Sequence, residues 1–192
     1  LYFYEGYLTY YAKKTGIDSR PELYKIKTGK NYDQRTKFEI YKDLKKTNKN
    51  ITLALLPSVY LNEKNLDILP LAGISNSKTI HCNENGDFSI YESDRYGFNN
   101  PDEEWEKEEI EYLIVGDSYA HGSCVNRPND IASVLRTLSK KSVINLGYQG
   151  NGPLLEHATL REYLKSNVKN IIWLYYEAND NEDLYNELKS EF

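Results

Sequence analysis

Three runs in the second half of the chain combine residue types suited to ester chemistry: Gly116-Asp117-Ser118-Tyr119-Ala120-His121-Gly122, Asn145-Leu146-Gly147-Tyr148-Gln149-Gly150-Asn151-Gly152 and Glu177-Ala178-Asn179-Asp180. Acyl cleavage or transfer takes a nucleophile, plus donors held about 3 Å from the oxygen that becomes negative. Ser118 supplies a hydroxyl and is the candidate nucleophile. Glycine at position 150 lets the main chain come close to a substrate, and the Asn179 amide can donate. Asp117, His121, Asn151 and Asp180 adjoin these residues and are read as lining the same site. His121 falls on the first turn of a helix after Ser118, where it is expected to shape the pocket rim and not to reach the hydroxyl.

Each run follows an apolar stretch with the character of a buried strand: Ile110 to Val115, Ser142 to Leu146 and Asn170 to Tyr176. Between them, Asp130 to Lys140 reads as a helix with Ile131, Val134, Leu135 and Leu138 on one face, and Pro153 to Lys165 as a second helix. Strand alternating with helix predicts a parallel sheet with right-handed crossovers. In such sheets ligands bind beyond the carboxyl ends of the strands, which brings the three runs to one edge.

The first half is less regular, and the chain divides into an N-terminal extension or cover (1–107) and a strand-helix part (108–192). Leu1 to Ala12 is too densely aromatic to assign by period, and Gly16, Ser19 and Pro21 read as a break leading into a polar connector through Gly29. A helix is expected from Asp33, as N-cap, to Lys46, with Phe38, Tyr41 and Leu44 recurring at spacing three. Ile51 to Leu56 reads as a strand stopped by Pro57, and Leu61 to Ser77 as a loop. A hairpin is expected over 78–92, around Asn83-Glu84-Asn85-Gly86, with His81 as a surface or packed residue. Asp94, Arg95, Asn99 and Asn100 concentrate hydrogen-bonding groups before the acidic run Glu103 to Glu111, itself expected to be a solvated surface.

Composition limits the function classes. The chain has 192 residues, 40% hydrophobic, enough for one domain with a core. A net charge of −5 without a basic cluster argues against nucleic-acid binding. Cys82 and Cys124 do not make a zinc site, and as free thiols or one disulfide they leave the compartment open. No apolar run is long enough to cross a bilayer, yet there is no methionine and the opening LYFYEGYLTYY is unusually aromatic. That opening reads either as a tyrosine-rich packing helix or as the water-facing end of a membrane anchor upstream of residue 1, and an extracytoplasmic or membrane-anchored location goes with the second reading.

The three blocks together resemble the SGNH (GDSL-type) hydrolase superfamily. Its first block is a Gly-Asp-Ser turn after strand one, as at 116–118. The second is a glycine five residues beyond an asparagine, as from Asn145 to Gly150, and the third an Asn-Asp pair, as at Asn179 and Asp180. The resemblance spans about Tyr96 to Leu184, and the loop RYGFNN is similar to loops before this domain in carbohydrate-modifying members. It implies a flavodoxin-like three-layer α/β fold, incomplete here, preceded by an irregular α+β extension. It also implies a Ser118 acyl-enzyme, with the Ser118 and Gly150 N–H groups and the Asn179 amide as oxyanion hole. The expected activity is a serine esterase or O-acyltransferase acting on a small-molecule or polysaccharide acyl ester, without metal or organic cofactor. The superfamily's late Asp-x-x-His block has no counterpart, so truncation is expected, with the base supplied from outside this stretch. His157, inside the second helix, does not replace it. The alternative is a carbohydrate-binding or assembly module with the same fold and no turnover.

Overall fold

The computed structural model describes Tyr7, Tyr10 and residues 20–63 and 67–190. Apart from those two tyrosines, the aromatic opening stretch lies outside the described residues, as do positions 64–66 of the expected loop.

A helix, α1 (Arg20–Thr28), replaces the connector expected there. Proline fits a first helical turn because its missing N–H would have no partner there, and Gly29 at φ 72° ends the helix. No residue of α1 is buried, which is why its sequence shows no apolar face. The next helix, α2 (Lys37–Lys45), is capped by Thr36 and not by Asp33. Thr36 Oγ1 accepts from the Glu39 N–H while Glu39 accepts from the Thr36 N–H, a reciprocal box that closes two donors. Its buried face centres on Ile40, with Tyr41 and Leu44, while Phe38 lies outside, stacked on Tyr41.

Strands β1 (Ile51–Leu53), β2 (Lys78–Ile80) and β3 (Ile90–Glu92) form a mixed sheet, β1 parallel to β2 and β2 antiparallel to β3. The expected hairpin is present, with Lys78 opposite Glu92 and the turn tied where Asn83 Oδ1 accepts the Gly86 N–H. Pro57 opens a 3-10 helix that runs through Asn62.

The second half is a parallel sheet of three strands in the order β5-β4-β6: β4 (Ile110–Gly116), β5 (Val143–Asn145) and β6 (Val168–Leu174). Helices α3 (Ser118–His121), α4 (Ile131–Ser139), α5 (Pro153–Tyr163) and α6 (Asp180–Lys189) alternate with them. Leu113 and Val115 point into one cluster with Phe98, Trp105, Ile144, Leu146 and Tyr148; Ile114 points into the other with Ala120, Ala132 and Val143. This alternation of side chains along β4 gives the strand a core on each face. On α4 the expected apolar face is turned outward: Ala132 and Ser133 are buried, whereas Ile131, Val134 and Leu138 are exposed. The small residues allow α4 to approach the sheet, and only Leu135 of the expected stripe packs against it.

The loop between the sheets is more than a turn. Buried Asp94 accepts from Trp105 Nε1, the Asn100 amide and the Tyr96 and Phe98 N–H groups. Asn100 in turn pairs with both the N–H and the carbonyl of Asn145 at the end of β5. Within the run expected to be solvated, Trp105 is buried and Glu104 accepts from the Ser142 hydroxyl and the Val143 N–H.

Candidate functional site

β4 ends at Gly116, and Asp117 caps the short helix α3 by accepting from the Tyr119 N–H at 2.9 Å. Its second oxygen collects two donors: Ser118 Oγ at 3.2 Å and Asn179 Nδ2 at 3.0 Å. One carboxylate thus ties the turn after β4 to the turn after β6. Asn179 also donates to Asp183 Oδ2 at 3.1 Å, while its own Oδ1 is buried without a partner among the described residues. Ser118 is half-buried and borders a cavity of about 420 Å³ with Glu84, Tyr119, Ser123, Asp130 and Gln149.

The loop after β5 is pressed against α3. A Cβ built at Gly147 would lie 2.3 Å from Ala120 Cβ, so only glycine lets the two segments meet there. Asn145 fixes this contact by donating to the Ala120 carbonyl and accepting from the Gly147 N–H. Gly150, at φ 81°, borders a separate cavity of about 380 Å³ with Ser58, Asp183 and Glu187. Its missing side chain is turned toward Ser58, whose Oγ would be 3.0 Å from a Cβ. Ser118 and Asn179 are therefore linked through Asp117, whereas no hydrogen bond among the described residues joins Gly150 to either.

His121 is not at a rim. It has no exposed surface, stacks between His81 at 4.4 Å and Tyr148 at 4.7 Å, and accepts the Gln149 N–H on Nδ1. Being buried inside the protein, it holds the loop after β5. His81, the packed residue of the hairpin, bonds Gln149 Oε1 through Nε2. Burial pushes the His81 pKa down to about 4 and that of His121 well below the ordinary range, so both are neutral at physiological pH. His157 is exposed on α5. Among the described residues, none of the three histidines hydrogen-bonds Ser118.

On the other flank lies a group of carboxylates of which only Asp180 stood out in the sequence; Glu156, Asp183 and Glu187 did not. Burial pushes Glu156 up to about 8 against its bond from Trp173 Nε1, with the charges of Asp180, Asp117 and Glu187 adding to the rise. Asp180 and Asp183 are also raised by burial. Asp180 is fully buried, one oxygen accepting the Tyr176 N–H and the other lacking a partner among the described residues. Glu187 is raised by burial although it accepts the Gly152, Leu154 and Leu155 N–H groups and so caps α5. Asn151 is buried and donates to the Leu71 carbonyl. Among the described residues no group of three or more His, Cys, Asp or Glu is placed to hold a metal ion.

Cys82 and Cys124 form a disulfide, joining the hairpin to the loop that follows α3. Among the described residues no helix is long and apolar enough to cross a membrane. No family model matches the chain, and neither a curated protein nor a solved structure matches it.

Proposed function

We propose that the chain carries the nucleophile half of an SGNH-type serine esterase or O-acyltransferase acting on an acyl ester. The observation that supports this best is the shared Asp117 carboxylate, which sets the Ser118 hydroxyl and the Asn179 amide side by side at one edge of a parallel sheet. The strand order β5-β4-β6 runs second, first, third in sequence, as in the first three strands of a flavodoxin-like sheet. β6 is half-exposed or exposed along its whole length although it reads NIIWLYY with the residues that follow, which fits a sheet that continues beyond it.

In this reading Ser118 Oγ forms a bond to the acyl carbon as the carbonyl electron pair moves to oxygen. The oxyanion is met by the Asn179 amide and main-chain N–H groups. It then collapses, breaking the bond to the alcohol oxygen, which leaves with the proton taken from Ser118. A serine hydroxyl is a weak nucleophile without an adjacent base. The proton carrier is therefore supplied from outside these residues. Acyl-enzyme attack by water gives an esterase, and attack by a second hydroxyl gives a transferase. A carbohydrate is the proposed bearer of the acyl group, and an upstream tether is proposed to hold the protein at a membrane.

The test is covalent. With the proton carrier present, a fluorophosphonate probe should add one label, mapped by mass spectrometry to Ser118 and lost in Ser118→Ala. Folded protein with that carrier of which Ser118 stays unlabelled overturns the enzyme. The second reading, a carbohydrate-binding or assembly module, is favoured by the engagement of Ser118 Oγ with the Asp117 carboxylate and not with a histidine.

A further inference from the structure

Gln149 borders the same cavity as Ser118, and its orientation is fixed from behind. Its backbone N–H donates to His121 Nδ1 at 3.1 Å, and its side-chain Oε1 meets His81 Nε2 at 2.5 Å. His81 is itself immobilised, 1% exposed, stacked on His121 and edge-on to Tyr91. A neutral imidazole has one N–H; with that proton on Nε2 and donated to Oε1, the amide is set with its carbonyl inward and its NH2 toward the cavity. Burial keeps His81 neutral down to about pH 4, so this arrangement does not switch near neutrality. The Gln149 NH2 makes no hydrogen bond to the described residues.

The cavity wall carries charge of one sign. Glu84 and Asp130 line it, and no Lys, Arg or His does. Asp130 Oδ1 caps α4 by accepting the Ser133 N–H, and its Oδ2 is buried without a partner among the described residues. Arg136, whose charge acts on Asp130, commits its guanidinium to the Val143 carbonyl and Asn100 Oδ1. A buried carboxylate without a direct ion pair still projects negative potential into the space beside it, although the Arg136 charge behind it reduces that potential.

We propose that Gln149, positioned by His81, is the side-chain donor that reads a neutral acyl ester in the Ser118 cavity, and that the acidic wall turns away anionic esters. This rests on the ester reading above and narrows its substrate class to O-acyl groups on uncharged or cationic acceptors, excluding uronates, phosphates and sulfates. A site built to hydrogen-bond one ligand oxygen discriminates through the penalty of leaving that donor unpaired. His81 is a positioning residue, acting only through Gln149.

The experiment is a nitrogen-15 NMR titration of the full chain with methyl 6-O-acetylglucoside and, separately, with O-acetylated methyl galacturonate bearing a free carboxylate. The Gln149 side-chain NH2 resonances should shift with the glucoside, and the galacturonate should bind at least tenfold more weakly at low salt. Asp130→Asn, which keeps the cap on α4, should reduce that difference to about threefold. His81→Leu should weaken glucoside binding about fivefold, and His81→Gln, which still has an N–H to donate, should restore it. The His81 ring nitrogens should report a protonated Nε2. Unmoved Gln149 NH2 resonances, equal binding of the two esters, no binding of either, or a proton on Nδ1 each overturn the proposal. Ser118→Ala should preserve the titration, since recognition precedes chemistry. A phosphonate-silent protein that still shifts Gln149 removes the enzyme and keeps the donor; a labelled protein with Gln149 unmoved does the reverse.

Discussion

Ser118 stands between two flanks, each of which keeps buried ionisable groups uncharged, the histidines on one side and Glu156 on the other. Behind Gln149, burial strips the proton from His81 and His121. Beyond Asp117, burial and mutual repulsion hold a proton on Glu156. His81 and His121 are neutral because bases are discharged, and Glu156 because an acid keeps its proton. Desolvation is the first cause on each side, and the sign of the group decides the outcome. The flanks therefore answer oppositely to pH.

The largest expected effect lies on the carboxylate flank. Glu156 binds its proton more tightly folded than unfolded, so its contribution is fully present below about pH 4.5 and is lost as pH rises through about 8. Glu156→Gln keeps an acceptor for Trp173 and should abolish a loss on the order of 4 kcal/mol across that interval, measured by urea unfolding at stepped pH. An unchanged slope in the variant would mean that the flank is charged. Removing the crosslink with Cys82→Ser and Cys124→Ser should cost about 3 kcal/mol, because the bridge spans 42 residues of sequence and its loss frees the unfolded chain. The accompanying loosening should appear as faster amide exchange in the hairpin and the loop after α3, with α6 unaffected. Equal acceleration in α6 would show that the flanks are one cooperative unit.

On the histidine flank the sign reverses. His81 is harder to protonate folded than unfolded, so its contribution is present above about pH 6.5 and lost as pH falls toward about 4. His81→Gln should remove roughly 2 kcal/mol of that acid-side loss, read by the same unfolding series. The smallest effect is expected from Asn179→Ala, which cuts the link from α6 to Asp117. It should cost about 1 kcal/mol and slow phosphonate labelling of Ser118 without altering either pH slope. A change in the histidine slope would join the two flanks through Asp117.

The sequence made the strand-helix alternation of the second half legible because β4 is a dense apolar run and its loops carry glycines at sharp turns. It also showed the hairpin, through Asn83 and Gly86. It did not show α1, whose polar surface leaves no period, nor the outward turn of Ile131, Val134 and Leu138, since an apolar stripe does not say which neighbour it meets. The turns that carry Ser118 and Asn179 were readable from the apolar strands before them, but their link through Asp117 was not. The Gln149 contact to His81 was not, because it closes across 68 residues between side chains that each look ordinary in their own segment. Glu156 escaped for the same reason: an acidic residue inside a helix signals solvent until Trp173 is seen to cover it.

The bridge between Cys82 and Cys124 also fixes what a protease can accomplish. A single cut anywhere from 83 to 123, including the loop around Asp94 and Asn100, leaves both fragments in one covalent body. Such a nicked molecule migrates as a single band until a reductant is added, and for a cut between 93 and 115 only then does the hairpin part company with the serine turn.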